Sequence, residues 1–232
     1  MARGPYDELM HQLSNRRVAT FFALVLASGL CGALLVLRVN ETGASDYRFL
    51  IWNLILAWVP FLAALALYDV NRRGRARGLQ VSLGAVWLLF LPNAPYIVTD
   101  FLHVGVIGGA PIWFDALLVA TFAATGLLLG FGSLLLVQSV VAKSLGAVWG
   151  WLMVVPILVA CSAGIILGRV YRFNSWDALS RPEALARVIT DRLADPAGAM
   201  PGIVLLGALT GFLGVAYLAL YAIAGLVPDR DA

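Results

Sequence analysis

Six stretches of this chain, residues 18–37, 49–68, 81–98, 116–137, 147–168 and 202–227, contain no charged side chain at all. Each is long enough to cross a hydrocarbon core of about 30 Å, which takes about 20 residues of helix. Lipid offers the backbone no hydrogen-bond partner, so only helices and closed β-barrels cross it. The apolar residues are continuous rather than alternating, which argues against a barrel. The expected fold class is therefore all-α: a polytopic transmembrane helix bundle of about six spans, forming a single integral membrane domain over residues 1–232. Composition agrees, with 61% hydrophobic residues, 12% charged residues and a mean hydropathy of +0.89, far from a soluble domain. Seventeen residues including Asp7 and Glu8 precede the first span, and Arg38 follows it. It reads as a retained helix rather than a cleaved signal. Cys31 and Cys161 fall mid-span and read as small buried apolar groups.

Orientation rests on the basic residues. The short second loop, NRRGRARG, carries four arginines, whereas residues 99–115 across the third span carry no Lys or Arg. Such a contrast across one helix places the basic loop inside. Both termini are then expected in the cytoplasm, and residues 99–115 and 169–201 outside. NRRGRARG serves as a topological anchor, and no nucleic-acid partner is expected. Small residues four apart, Gly126/Gly130, Gly164/Gly168 and Gly207/Gly211, would let helix backbones approach closely.

The third span breaks its own pattern at FLPNAPYIVTDFLH, residues 90–103. Pro92 and Pro95 each remove a backbone donor and crowd the carbonyl four residues earlier, so the helix must kink or unwind around Asn93. Unwound backbone at that depth needs protein or water around it. Beyond the break, Tyr96, Asp100 and His103 share one α-helical stripe. That stripe could face a cavity, or Pro-Asn-Ala-Pro could simply end a helix and leave Asp100 and His103 solvated. Other polar groups reach the same side: Asn53 near the start of the second span, Asp115 at the start of the fourth, and GRVYRFNSWD at the end of the fifth. In that string Arg169 and Arg172 could present two donor forks to one anion, or pair with Asp100, Asp115 or Asp177. Asn174, Trp176 and Asp177 form a turn-rich exit, with Trp176 suited to the membrane interface. Ser180-Arg-Pro-Glu183 then has capping-box spacing, and Leu185, Val188, Ile189 and Leu193 share one face of an amphipathic helix expected on the outer surface.

Together WNLILAWVP, WLLFLPNAPYIVTDFLH, WFDALL and GRVYRFNSWD resemble the bacterial membrane-protein family known as domain of unknown function 1361 (DUF1361). The resemblance spans residues 48–177. It implies a polytopic protein of a bacterial cytoplasmic membrane and carries no reaction with it. An abundance of Arg, Ala, Gly and Leu fits a GC-rich bacterial source.

Three functions are compatible with these residues. The first is an outward-facing site that binds, and could process, an anionic lipid headgroup or lipid-linked substrate. Asp100, His103 and Asp115 are its candidate catalytic groups. Its candidate binding groups are Asn53, Asn93, Tyr96, Arg169, Arg172, Asn174, Trp176 and Asp177. A metal version would use Asp100, His103, Asp115 and Asp177; one histidine among carboxylates suits a divalent cation held with phosphate better than zinc. The second is a small-solute or ion transporter or channel, for which a broken helix is a familiar element, although no span carries a mid-membrane charge. The third is a non-catalytic assembly subunit docking through residues 181–193. No H-E-x-x-H, G-x-S-x-G or Walker loop is present.

Overall fold

The computed structural model describes residues 5–74, 77–194 and 196–225, with side chains from residue 17 onward except at 179, 189, 192, 193, 196–199 and 225. Arg75, Asp195 and Arg230, and the side chains of Asp7, Glu8, Ile189 and Leu193, lie outside the described residues. The remainder is all helix, with no strand among the described residues. Six segments are long and apolar enough to cross a membrane: Arg17–Thr42, Asp46–Arg72, Arg77–His103, Ile112–Leu145, Ala147–Tyr171 and Met200–Ala224. These are the six expected spans; the first five extend into flanking polar residues, and the sixth runs from Met200 to Ala224, residues 226 and 227 lying outside the described ones.

The first span belongs to α1 (Pro5–Thr42). A 3-10 turn, Asp46–Arg48, leads into α2 (Phe49–Arg72). The third span is three pieces: α3 (Arg77–Phe90), a one-turn α4 (Asn93–Tyr96) and a 3-10 helix (Ile97–His103). Then come α5 (Ile112–Leu145), α6 (Ala147–Leu152), α7 (Val154–Tyr171), α8 (Asp177–Ser180), α9 (Pro182–Ala194) and α10 (Pro196–Gly225). The fifth span is divided as well, between α6 and α7. Pro156 has no N–H to offer the Leu152 carbonyl, so α6 stops there and a turn at Met153 precedes α7.

Helix α5 is the axis. In its most apolar stretch 61% of the residues are buried, against 11% in α10, which packs at the periphery. One core cluster lies among α1, α2, α5 and the broken segment, around Leu50, Phe61, Ile97, Leu118 and Phe122. A second joins α3, α5, α7 and α10 around Trp87, Leu134, Leu158, Leu213 and Tyr217. Because lipid tails are as apolar as leucine, side-chain hydrogen bonds and close packing hold such helices together. Trp87 Nε1 donates to Ser133 Oγ at 3.0 Å, Thr210 Oγ1 to Ser162 Oγ at 3.1 Å, and the Tyr217 hydroxyl to Gln138 Oε1. Cys31 and Cys161 are buried and unbridged, as expected.

Two of the three glycine pairs grip the break. A Cβ on Gly126 would lie 2.5 Å from the Ala94 carbonyl oxygen, and one on Gly130 3.0 Å from the Ala94 Cβ. From the other side, a Cβ on Gly164 would lie 2.7 Å from Pro92, and one on Gly168 3.0 Å from the Tyr96 ring. The segment 92–97 is thus clamped between α5 and α7 at distances only glycine allows. Gly207 and Gly211 behave differently: a Cβ on either meets nothing within 4 Å. Helix α9 begins at Pro182, but Ser180 does not cap it: that serine ends α8 and its hydroxyl donates to Asp177 Oδ1 at 3.3 Å. Along α9, Leu185 and Val188 are half-buried and Glu183, Arg187 and Asp191 exposed.

Candidate functional site

The helix breaks as Pro92 and Pro95 require, and its freed carbonyls are re-satisfied locally. The Leu91 oxygen, deprived of a donor by Pro95, accepts the Ala94 N–H at 3.2 Å. The Phe90 oxygen accepts Asn93 Nδ2 at 2.9 Å, and the same amide donates to Ser175 Oγ at 2.7 Å. Asn93 therefore stitches the end of α3 to the loop after α7. The space beside the break is apolar and only about 10 Å³, lined by Leu91, Pro95, Leu134 and Leu158 among others. That cavity is about the size of a single water.

Past the break the chain winds as a 3-10 helix, not the α-helix the stripe of Tyr96, Asp100 and His103 presupposed. With three residues per turn, Ile97, Asp100 and His103 align instead. Burial follows that register: Ile97 and Asp100 are buried, His103 is half-exposed, and Phe101 and Leu102 face outward. Thr99 Oγ1 donates to the Tyr96 carbonyl at 2.7 Å, closing the first turn.

Asp100 is the centre of one cluster. Its carboxylate is 1% exposed, forms an ion pair with Arg169 Nη2, and accepts Asn53 Nδ2 at 2.9 Å. Arg169 also donates to Thr99 Oγ1 from Nε at 2.9 Å and from Nη2 at 2.5 Å, and its guanidinium lies 4.5 Å from the Tyr96 ring centroid. The ring, the hydroxyl and the carboxylate together fix the arginine on three sides. His103 Nδ1 is 3.2 Å from the Asp100 carbonyl oxygen and 3.9 Å from Oδ1. A carbonyl only accepts, so this contact is a hydrogen bond when Nδ1 carries a proton.

Asp115 belongs to a second cluster. Both it and Arg38 have fully buried side chains, with Nε to Oδ1 at 2.6 Å and Nη2 to Oδ2 at 3.3 Å. Arg38 Nη2 reaches the Gly108 carbonyl at 3.2 Å, while Nη1 is buried with no protein partner. The guanidinium lies 4.4 Å from the Tyr47 ring centroid. Tyr47 joins the two clusters: its hydroxyl donates to the His103 carbonyl at 3.0 Å, and Phe49 beside it sits 4.9 Å from the His103 ring.

The remaining expected residues serve the turn after α7. The N–H groups of Arg172 and Phe173 return to the Leu167 carbonyl, and Arg172 closes the helix in the left-handed region at φ 57°. Among the described residues it is the only non-glycine with positive φ, and it is exposed. Asp177 accepts the Asn174 backbone N–H at 2.7 Å and the Arg181 guanidinium at 2.9 Å. That backbone donor, with Arg181 adding to it against the opposing effect of burial, holds the Asp177 carboxyl below its usual range. Trp176 is exposed.

The structure thus brings Asn53, Tyr96, Asp100, His103 and Arg169 together. It sends Asp115 to Arg38, and Asn174 and Asp177 to a turn, rather than into one pocket with Asp100. No group of three His, Cys, Asp or Glu is placed to hold a metal among the described residues. Arg38, Tyr47 and Thr99 were not among the expected residues. Arg38 carried a signal, being the cation that ends the first span on the side where Asp115 begins the fourth.

Comparison with known protein families matches residues 52–213 to the family described as protein of unknown function (DUF1361). The chain belongs to the DUF1361 family. The match covers well over half of the chain and extends past the stretches that carry the resemblance, through α8 and α9 and into α10. It takes in every residue of the Asp100 cluster, but begins after Arg38 and Tyr47. No curated protein and no solved structure matches the chain.

Proposed function

We propose that this DUF1361 protein binds an anionic lipid headgroup at the polar end of the bundle, with Arg172 and the outer edge of Arg169 as its donors. The supporting observation is an asymmetry of burial. Asp100, Asp115 and Asp177 are all buried as acceptors, while Arg172 is exposed and the Arg169 side chain is 23% exposed. At Asp100 and Asp177 the carboxylate is hidden and the arginine is the more exposed partner, whereas at Asp115 both charges are buried. An arginine in a backbone region that usually takes glycine adds to this, since such strain of about 1–3 kcal/mol tends to be kept where function needs the side chain. The basic NRRGRARG loop, at the other end of the third span, orients this face outward in a bacterial cytoplasmic membrane.

Processing of the bound headgroup falls to His103, the half-exposed imidazole beside Asp100. Asp100 positions Arg169 and has no free oxygen to act as a base, and Asp115 is committed to Arg38. The test is a titration of the purified protein with phosphatidylglycerol, read by native mass spectrometry. Arg172→Gln should weaken binding about fivefold, the worth of one basic group near an anionic surface. Unchanged affinity in Arg172→Gln would overturn the reading.

A further inference from the structure

A groove of about 650 Å³ runs between the C-terminal part of α1 and the start of α2, lined by Gly32, Leu35, Val36, Val39, Asn40, Arg48 and Ile51. Its volume lies within the range of about 300–1,000 Å³ typical of ligand sites. The walls are apolar and the mouth is polar. Gly32 forms an open floor, since a Cβ there meets nothing within 4 Å. Both helices are membrane spans, so the apolar length of the groove faces hydrocarbon. Arg48 at the mouth is exposed and has no ion-pair partner among the described residues, and the neighbouring Glu41 and Asp46 are exposed too.

We propose that this groove seats one phospholipid whose headgroup carries an amine beside its phosphate. The phosphate meets Arg48 and Asn40, the ammonium meets the carboxylates of Glu41 and Asp46, and one acyl chain lies along Gly32, Val36 and Ile51. Arg48 supplies a fork for a phosphate, but the exposed carboxylates of Glu41, next to Asn40 in the chain, and of Asp46, two residues before Arg48, disfavour a headgroup that is only anionic. A zwitterionic aminophospholipid satisfies both signs, and its chain fills a channel that water would not favour. The groove between α1 and α2 includes neither Arg169 nor Arg172, which lie on α7 and in the turn after it.

The test uses the full-length protein, delipidated in detergent and titrated with dioleoyl phosphatidylethanolamine and dioleoyl phosphatidylglycerol, with bound lipids counted by native mass spectrometry. Gly32→Leu places a side chain in open space and should fill the groove without disturbing the fold. It should weaken phosphatidylethanolamine binding about tenfold or more, the equivalent of about two buried methylenes. Arg48→Gln should cost about fivefold, and Arg172→Gln should leave this binding unchanged. Wild-type protein should prefer phosphatidylethanolamine at this site. Undiminished binding in Gly32→Leu would overturn the proposal. So would tighter binding of phosphatidylglycerol at the Gly32-sensitive site, or competition by chain-free glycerophosphoethanolamine as strong as that of the whole lipid.

Discussion

Removing the Asp115 carboxylate should damage stability before it damages any chemistry. Asp115 and Arg38 are both fully buried and share two contacts, at 2.6 and 3.3 Å. In Asp115→Ala the guanidinium would keep only the Gly108 carbonyl at 3.2 Å, and Nη1 is already without a partner. A buried charge stripped of its counter-ion costs about 3–5 kcal/mol. Arg38→Met alone leaves the carboxylate stranded instead and should cost a similar amount. The double variant Arg38→Met with Asp115→Leu removes both charges and restores apolar packing, so it should recover to within about 1–2 kcal/mol of wild type. Thermal unfolding of a fluorescent fusion in detergent, followed by size-exclusion chromatography, reads all four proteins. If Asp115→Ala melted like wild type, or if the double variant were less stable than either single, Asp115 would not be a buried counter-ion.

Three further outcomes follow from the packing and the turn. Gly126→Ala drives a Cβ to 2.5 Å from the Ala94 oxygen and should destabilise by about 1–3 kcal/mol, whereas Gly207→Ala meets nothing and should gain about 0.5–1 kcal/mol from helix propensity; melting temperatures compare them. Arg172→Gly relieves a positive φ of 57°, so it should raise thermal stability by about 1 kcal/mol while weakening phosphatidylglycerol binding, and a parallel fall in both would count against the proposed site. The Asp177 carboxyl is held below its ordinary value of 3.8, so its contribution to the turn is present above that value and lost as pH falls through the depressed folded pKa. Protection of the Asn174 amide, its exchange relative to the intrinsic rate at each pH, should therefore fall on acidification in wild type and be already low and flat in Asp177→Asn.

The spans and the break were legible because they rest on backbone chemistry that one sequence displays. Charge-free runs of about 20 residues have one use in a membrane, and Pro92 and Pro95 delete donors wherever they sit. What followed the break was not legible, because α and 3-10 helices differ by a fraction of a residue per turn. The wrong period gave Tyr96 a place in the polar stripe that Ile97 takes on the buried side. Pairing was equally hidden. Asp100 could have met any arginine at that end, and only the packing of α7 against the break selects Arg169, while Arg38 and Asp115 are 77 positions apart in the chain. The division at Met153 had a visible cause in Pro156, but a proline near a span end also fits an unbroken helix. Of the glycine pairs, sequence gave the spacing of all three and the contacts of none.

A high-resolution map of the protein in lipid nanodiscs containing phosphatidylglycerol bears directly on the headgroup site. It should show phosphate density within about 3 Å of the Arg172 guanidinium and next to the exposed edge of Arg169, with the His103 Nε2 facing it. A map of equal quality in which the ion pair between Asp100 and Arg169 is intact, ordered lipid is seen elsewhere, and no density touches Arg172 would contradict the proposed function.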